Sequence, residues 1–241
     1  VTSGKIYIGT SGWVYKDWAS HFYPKEIPKK RHLEFYATQF PTVEINATFY
    51  RLPAEKVFQN WSEAAPPGFI YAVKGSRAVT HMKRLKPGAK SFPALLERCQ
   101  YLGPHLGPIL WQLPPSFPKN TERLTHFLQR LPHRFSHAIE FRHPTWLDQG
   151  VGEILKRFKV AKVWVSSLAM PMDSEVTSNF VYLRFHGLSG GAAHDYTDQE
   201  LEPWAEQLRR CARQGLRGFV YFNNDVNTRA PLNAQRLMQM V

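Results

Sequence analysis

The chain is poor in cysteine: Cys99 and Cys211 are the only two in 241 residues. Two thiols so far apart, each on a segment with helical spacing, do not make the disulfide framework of a small secreted protein. Both are read as reduced packing residues, and the expected compartment is the cytoplasm. Long apolar runs are also missing. None approaches the ~20 residues that a bilayer-crossing helix needs, so no membrane partner is expected. The opening VTSGKIYIGTSGW lacks the charged-then-apolar order of a signal peptide and reads as a strand. No GxSxG elbow is present, which argues against a serine triad. Neither cysteine falls at a strand end, which argues against a thiol nucleophile. Acidic residues are scarce, 19 Asp/Glu against 31 Lys/Arg, for a net charge of +12. The imbalance is steepest in residues 1–90, with 14 basic and 6 acidic side chains. A positive field of that size favours acidic partners, namely phosphorylated small molecules or nucleic acid.

What is present is a series of eight strand-like runs: 5–12, 42–50, 69–75, 106–115, 137–143, 161–167, 180–187 and 218–225. Most are separated by stretches of helical period. Leu124, Phe127, Leu128 and Leu131 recur at that spacing, as do Leu201, Trp204, Leu208 and Cys211 after the capping-box pattern that begins at Thr197. Alternating strands and helices imply a parallel sheet, and eight units in this length imply a closed (β/α)8 barrel of the TIM type. One domain covering 1–241 is expected, since no linker or repeat interrupts the pattern. The exception is LAMPMDSEVTSN, 168–179, which shows no clear helix. The connection between the sixth and seventh strands is therefore expected to be irregular.

Alternate residues of a barrel strand face the helices and the interior. Val43, Ile45 and Ala47, then Ile139 and Phe141, then Val181, Leu183 and Phe185 form apolar faces. The opposite faces carry Glu44 and Asn46; Glu140 and Arg142; Tyr182, Arg184 and His186. Lys74 ends the third run, Gln112 falls in the fourth, and Asn223-Asn224-Asp225 ends the eighth. Burying so many polar groups at one end without pairing or a ligand is costly. Two explanations stand: a ligand pocket, or a structural network with ion pairs such as Glu44–Arg142 or Glu140–Arg184.

The segments GTSGWVYKDW (9–18), FYP (22–24), VEINATFY (43–50), TH (80–81), GPILWQLPPSF (107–117), AIEFRHPTW (138–146), YLRFHG (182–187) and YFNND followed by APLNAQRL (221–237) carry a resemblance. Together, in this order, they resemble the DUF72, or YecE-like, family over nearly the whole chain. The resemblance implies a TIM-type barrel of uncharacterised function. It implies no reaction. The family pattern commonly ends the sixth strand with Asp, where this chain has Ser166 and Ser167. That leaves open whether a hydroxyl takes over a role there.

The leading expectation is an enzyme acting by acid–base chemistry on a phosphate-bearing substrate at the carboxyl ends of the strands. Glu44, Glu140 and His186 are the proton-transfer candidates. Lys74, Arg142 and Arg184 are expected to hold the anion, with Asn46, Gln112, Asn223 and Asn224 orienting polar groups. Further phosphate or nucleic-acid contacts are expected from Arg77, His81, Lys83 and Arg84 after the third strand. Gly190 and Gly191, after the seventh, are a candidate phosphate loop. A carboxylate pair such as Glu44 and Glu140 also suits glycoside hydrolysis, though no glycosidase motif surrounds either. The cofactor is undetermined. A divalent ion on Glu44, Glu140, His186 and Asp225 is the weaker reading, because Lys74, Arg142 and Arg184 crowd the cation. The alternative function is a nucleic-acid-binding module or a metal-dependent phosphodiesterase or nuclease, with basic loops beside the aromatics Trp13, Tyr15, Trp18, Phe22 and Tyr23.

Overall fold

A computed structural model describes residues 3–19 and 21–241; Val1, Thr2 and Ser20, which the expected domain includes, lie outside the described residues. Eight parallel strands close into a barrel in sequence order. They are β1 (Ile6–Ser11), β2 (Thr42–Ile45), β3 (Ile70–Lys74), β4 (Leu106–Gln112), β5 (His137–Glu140), β6 (Ala161–Ser166), β7 (Phe180–Phe185) and β8 (Arg217–Phe222). β8 pairs with β1 from Ile6 opposite Gly218 to Thr10 opposite Phe222, which closes the ring. The helices are α1 (His32–Gln39), the single turn α2 (Ala47–Tyr50), α3 (Glu55–Ala64), α4 (Ser91–Cys99), α5 (Thr121–Gln129), α6 (Gln149–Phe158), α7 (Asp198–Arg213) and α8 (Arg229–Met240).

The period-two alternation splits the core in two. Val43, Ile45, Ile139, Phe141, Val181, Leu183 and Phe185 pack outward against the helices. Ala72, Leu110, Ala138, Ala161, Val163, Val165, Phe180, Tyr182, Phe219 and Tyr221 fill the barrel interior. Within it Tyr7 stacks on Phe219 at 5.3 Å, and Tyr182 leans on Tyr221 at 5.2 Å. Above these rings the interior turns polar. Helix starts follow their signals: Asn120 caps α5, Asp148 caps α6, and Thr197 with Glu200 forms a complete capping box on α7. Both cysteines are buried and free, on α4 and α7.

Two local features depart from simple alternation. The second run does not continue as a strand to Tyr50. It stops at Ile45, and Ala47–Tyr50 coil into a helical turn, so Ala47 and Thr48 leave the strand alternation. Between β6 and β7 no helix forms; the segment 167–179 covers β6 instead. Lys162, on the outer face of β6, is held at 2.5 Å by Asp173 and 3.1 Å by Glu175. Trp164 Nε1 donates to the Glu175 carbonyl at 3.0 Å. These contacts give the outer face of β6 the cover a helix would supply. No helix among the described residues is long and apolar enough to cross a membrane.

Candidate active site at the barrel mouth

β2, β5 and β7 each carry an inward polar side chain at the last or next-to-last residue, and those three meet under the mouth. Glu44, Glu140 and Arg184 are all 0% exposed. The Arg184 guanidinium spans the barrel, with Nη2 2.8 Å from Glu44 Oε1 and Nη1 2.7 Å from Glu140 Oε2. Glu44 also accepts hydrogen bonds from Ser11 Oγ and, at 2.7 Å, from Tyr182 OH. Glu140 Oε1 accepts from Arg142 Nε at 2.6 Å and lies 3.1 Å from His186 Nε2. Burial pushes both carboxyls up, but the neighbouring charges prevail. Arg184, Lys74 and the Ser11 and Tyr182 hydroxyls hold Glu44 below the usual range. The Arg184 and Arg142 charges, with the hydrogen bond from His186, hold Glu140 well below it. Burial likewise lowers the Arg184 pKa, and the two carboxylates raise it above its ordinary value.

His186 has 11% side-chain exposure and sits between Glu140, Arg142 and Asn223. Burial and the Arg184 charge push it down to about 4 against the opposing pull of Glu140, so its imidazole is neutral at pH 7. The neutral form that protonates Nε2 donates to Glu140 and leaves Nδ1 to accept from Asn223 Nδ2 at 3.2 Å.

Over this floor opens a cavity of about 730 Å³. Its polar lining comes from Asn46, Lys74, His81, Gln112, Arg142, Asn223 and Asp225. Trp13, Tyr15, Phe49, Tyr50 and Trp61 supply aromatic walls. Gly12 permits the first wall: its φ is +85°, and a Cβ there would lie 2.8 Å from Tyr15 OH. Trp18 and Tyr23 do not reach the cavity; they are buried beneath the loop, Trp18 donating to the Asp225 carbonyl at 3.1 Å. Asn46 Nδ2 donates to Ser11 Oγ at 2.6 Å, while its Oδ1 is buried with no partner among the described residues.

Lys74 is the unbalanced charge. No carboxylate lies within ion-pair distance among the described residues, and its Nζ sits 4.4 Å from the centre of the Phe49 ring. Burial, then the Arg184 charge, brings its pKa down to about 7 in spite of Glu44 and Glu140. His81 lies on the π-helical segment Ala78–Met82, edge-on to Phe49 at 5.0 Å, with Nδ1 2.9 Å from Thr80 Oγ1. Burial and the charges of Lys74, Arg142 and Arg77 lower its pKa.

The structure thus gathers most of the expected residues but sorts them by depth. Asn46, Lys74, His81, Gln112, Arg142 and Asn223 line the cavity; Glu44, Glu140, Arg184 and His186 lie under or beside it. The expected pair Glu44–Arg142 does not form, because Arg184 takes Glu44 and Glu140 takes Arg142; Glu140–Arg184 does form. One guanidinium fills the gap between the two carboxylates, so they do not flank a sugar as a glycosidase pair would. For the same reason Glu44, Glu140, His186 and Asp225 do not assemble as ligands; among the described residues no group of three or more His, Cys, Asp or Glu side chains is placed to hold a metal ion.

Other expected residues fall elsewhere. Asn224 is fully buried and outside the cavity lining, its Nδ2 bound to the His194 carbonyl at 2.7 Å and to Asn233 Oδ1 at 2.8 Å. Gly190 and Gly191 do not line the cavity; their loop folds on itself, with the Gly191 carbonyl packed against Gly187. Arg77, Lys83 and Arg84 are exposed beyond the lining. His143 turns aside to accept a hydrogen bond from the Thr145 backbone N–H. Ser166 faces outward, 2.9 Å from Tyr196 OH, and Ser167 bridges to Met170, so neither stands at the cavity in place of an Asp.

Sequence reasoning passed over Ser11, which the same alternation places inward at the end of β1, and Tyr182 as a partner of Glu44. It also passed over Phe49, Tyr50 and Trp61 as cavity walls. Those three come from α2 and α3, and no local pattern signals that they turn toward the mouth.

The family described as "Protein of unknown function DUF72" matches residues 7–241. The UPF0759 protein YunF of Bacillus subtilis is 26% identical over 98% of this chain and 94% of its own length. The UPF0759 protein YecE of Escherichia coli K12 is 32% identical over 61% of this chain and 52% of its own. The crystal structure of a DUF72 family protein from Thermotoga maritima superposes with a TM-score of 0.88 at 26% identity, covering 98% of each chain. With the family pattern matched from β1 to the end of α8 and the barrel shared, this chain belongs to the DUF72 family.

Proposed function

We propose that the mouth cavity is the active site of an enzyme that acts on a small phosphate-bearing substrate by acid–base chemistry. One observation carries the reading. Two basic side chains, Lys74 and Arg142, open on a roomy cavity, and of the two only Arg142 has a carboxylate partner among the described residues. With Glu44 and Glu140 committed to Arg184 and Arg142, and with Asp225 of the lining not within ion-pair distance, a protonated Lys74 is left without a carboxylate partner among the described residues. An anion supplies that partner. Asn46 Oδ1, Gln112 and Asn223 are at hand for polar groups of the substrate. Proton transfer falls to Lys74 and His81, which reach the cavity, rather than to Glu44 and Glu140, whose lone pairs are occupied and whose pKa values are lowered. With its pKa near 7, Lys74 gains base character as pH rises through neutrality and acid character as it falls.

Charge-assisted hydrogen bonds are worth about 1.5–3 kcal/mol, so Arg142→Ala should weaken inorganic pyrophosphate binding by about 10- to 100-fold in calorimetric titration. Equal affinity in a folded variant would remove Arg142, and the reading with it.

A second reading, nucleic-acid binding, rests on the rim. Tyr50 is 71% exposed at the cavity edge, and Arg51, Lys83 and Arg84 stand exposed on the neighbouring loops. A stacking ring beside cations suits single strands. If this reading holds, Lys83→Ala/Arg84→Ala lowers the salt slope of oligonucleotide binding by roughly 1.4, from about 0.7 per lost phosphate contact. Identical slopes would eliminate it.

A further inference from the structure

We infer that Lys74 is a carbonyl-capturing amine: its Nζ condenses with the aldehyde or ketone carbon of a small anionic substrate held at Arg142. The inference rests on the proposed function and narrows the substrate to a phosphorylated carbonyl compound.

The geometry has four parts. Lys74 is the last residue of β3, and its backbone is fixed on both sides: Thr48 Oγ1 donates to its carbonyl at 2.6 Å, and the Gly75 N–H donates to Leu110 at 2.7 Å. Gly75 is needed there, since a Cβ would lie 2.4 Å from the Trp111 ring. The amine opens on the cavity without a hydrogen bond or ion pair among the described residues, whereas Arg142 and Arg184 each hold carboxylates. Its Nζ lies 4.4 Å from the centre of the Phe49 ring, and Ile45, Ala47 and Trp61 add further apolar lining to the cavity it opens on. The charges of Arg184 and Arg142 act on it from the floor and the rim. Apolar walls and neighbouring cations are the two devices that keep a lysine unprotonated and nucleophilic. The lowered pKa of about 7 agrees with both. Finally, His81 shares the Phe49 ring with Lys74 and is held toward its neutral form, so it can carry a proton.

The step balances without an oxidant or reductant. The nitrogen lone pair forms the C–N bond while the carbonyl π pair moves to oxygen, which takes a proton. Nitrogen then loses a proton, through His81 or water. The carbinolamine hydroxyl is protonated and leaves as water as the C=N bond forms. Hydrolysis reverses the sequence.

The test treats the full chain with D-glyceraldehyde 3-phosphate or with uncharged glyceraldehyde, each with sodium cyanoborohydride, and locates the adducts by intact mass and peptide mapping. An amine that is half unprotonated at pH 7 should label at least about tenfold faster than the surface lysines of the same molecule. The phosphorylated probe should label Lys74 faster than glyceraldehyde does, Arg142→Ala should erase that preference, and Lys74→Arg should abolish the fast adduct. Wild-type peptide mapping needs no variant to fold. If Lys74 reacts no faster than surface lysines while pyrophosphate still binds through Arg142, the inference is overturned and the anion site stands. If Lys74 reacts fast with both probes alike and pyrophosphate does not bind, the amine stands and the anion site falls.

Discussion

Arg184→Met should destabilise the fold by about 3–5 kcal/mol at neutral pH, the cost of breaking a buried ion pair from one side. The guanidinium is fully buried between Glu44 and Glu140, so its removal leaves two carboxylates under the cavity with reduced compensation. The pH dependence is the sharper readout. In the wild type both carboxyls have folded pKa values below their ordinary ones. Their contribution to stability is present above the unfolded pKa and is lost as pH falls through the folded value. In the variant, burial dominates and the folded carboxyl pKa values rise. Their contribution is then present below the unfolded pKa and is lost as pH rises. The stability gap between the two proteins should therefore widen from about pH 5 to about pH 8 in urea titrations. Adding Glu44→Gln and Glu140→Gln should restore much of the loss. A gap that does not change with pH would mean that the three groups are not coupled as their distances indicate.

Trp18→Ala should cost about 3–5 kcal/mol, the usual range for truncating a buried Trp. Its ring lies 4.9 Å from Tyr15, 5.4 Å from Phe22 and 6.3 Å from Tyr23, and its indole N–H ties the β1–α1 loop to the Asp225 carbonyl beyond β8. That loop carries Trp13 and Tyr15 into the cavity wall, so the same substitution should weaken pyrophosphate binding. Trp18→Phe keeps one aromatic ring in place and loses the hydrogen bond with part of the packed volume, for a smaller cost of about 1–3 kcal/mol. Denaturant melts of the two variants measure both costs. A loss under about 1 kcal/mol for the alanine variant would show that the ring does not anchor the loop.

These predictions draw on different kinds of information. The inward positions of Glu44, Glu140 and Arg184 follow from strand alternation, which is local and survives without coordinates. Their pairing does not. Glu44 meets Arg184 rather than Arg142 because β7 brings Arg184 level with Val165 of β6 and Tyr221 of β8, a register set by closure of the whole ring. Alternation also misled at two ends. β2 coils after Ile45, so Phe49 and Tyr50 became cavity walls. After β8, Asn223 turns to the cavity while Asn224 is drawn into Asn233 and His194.

By itself, the sequence determined the eight strands, the helices between most of them, the missing helix after β6 and the set of polar residues at the carboxyl ends. Each of these is written in periodicity, caps and turn residues within a few positions of one another. Only the tertiary structure decided depth. It made Glu44, Glu140 and Arg184 a closed floor and left Lys74 and Arg142 open above it. Burial and charge partners depend on residues as far apart as Ser11 and Arg184, which no local pattern relates.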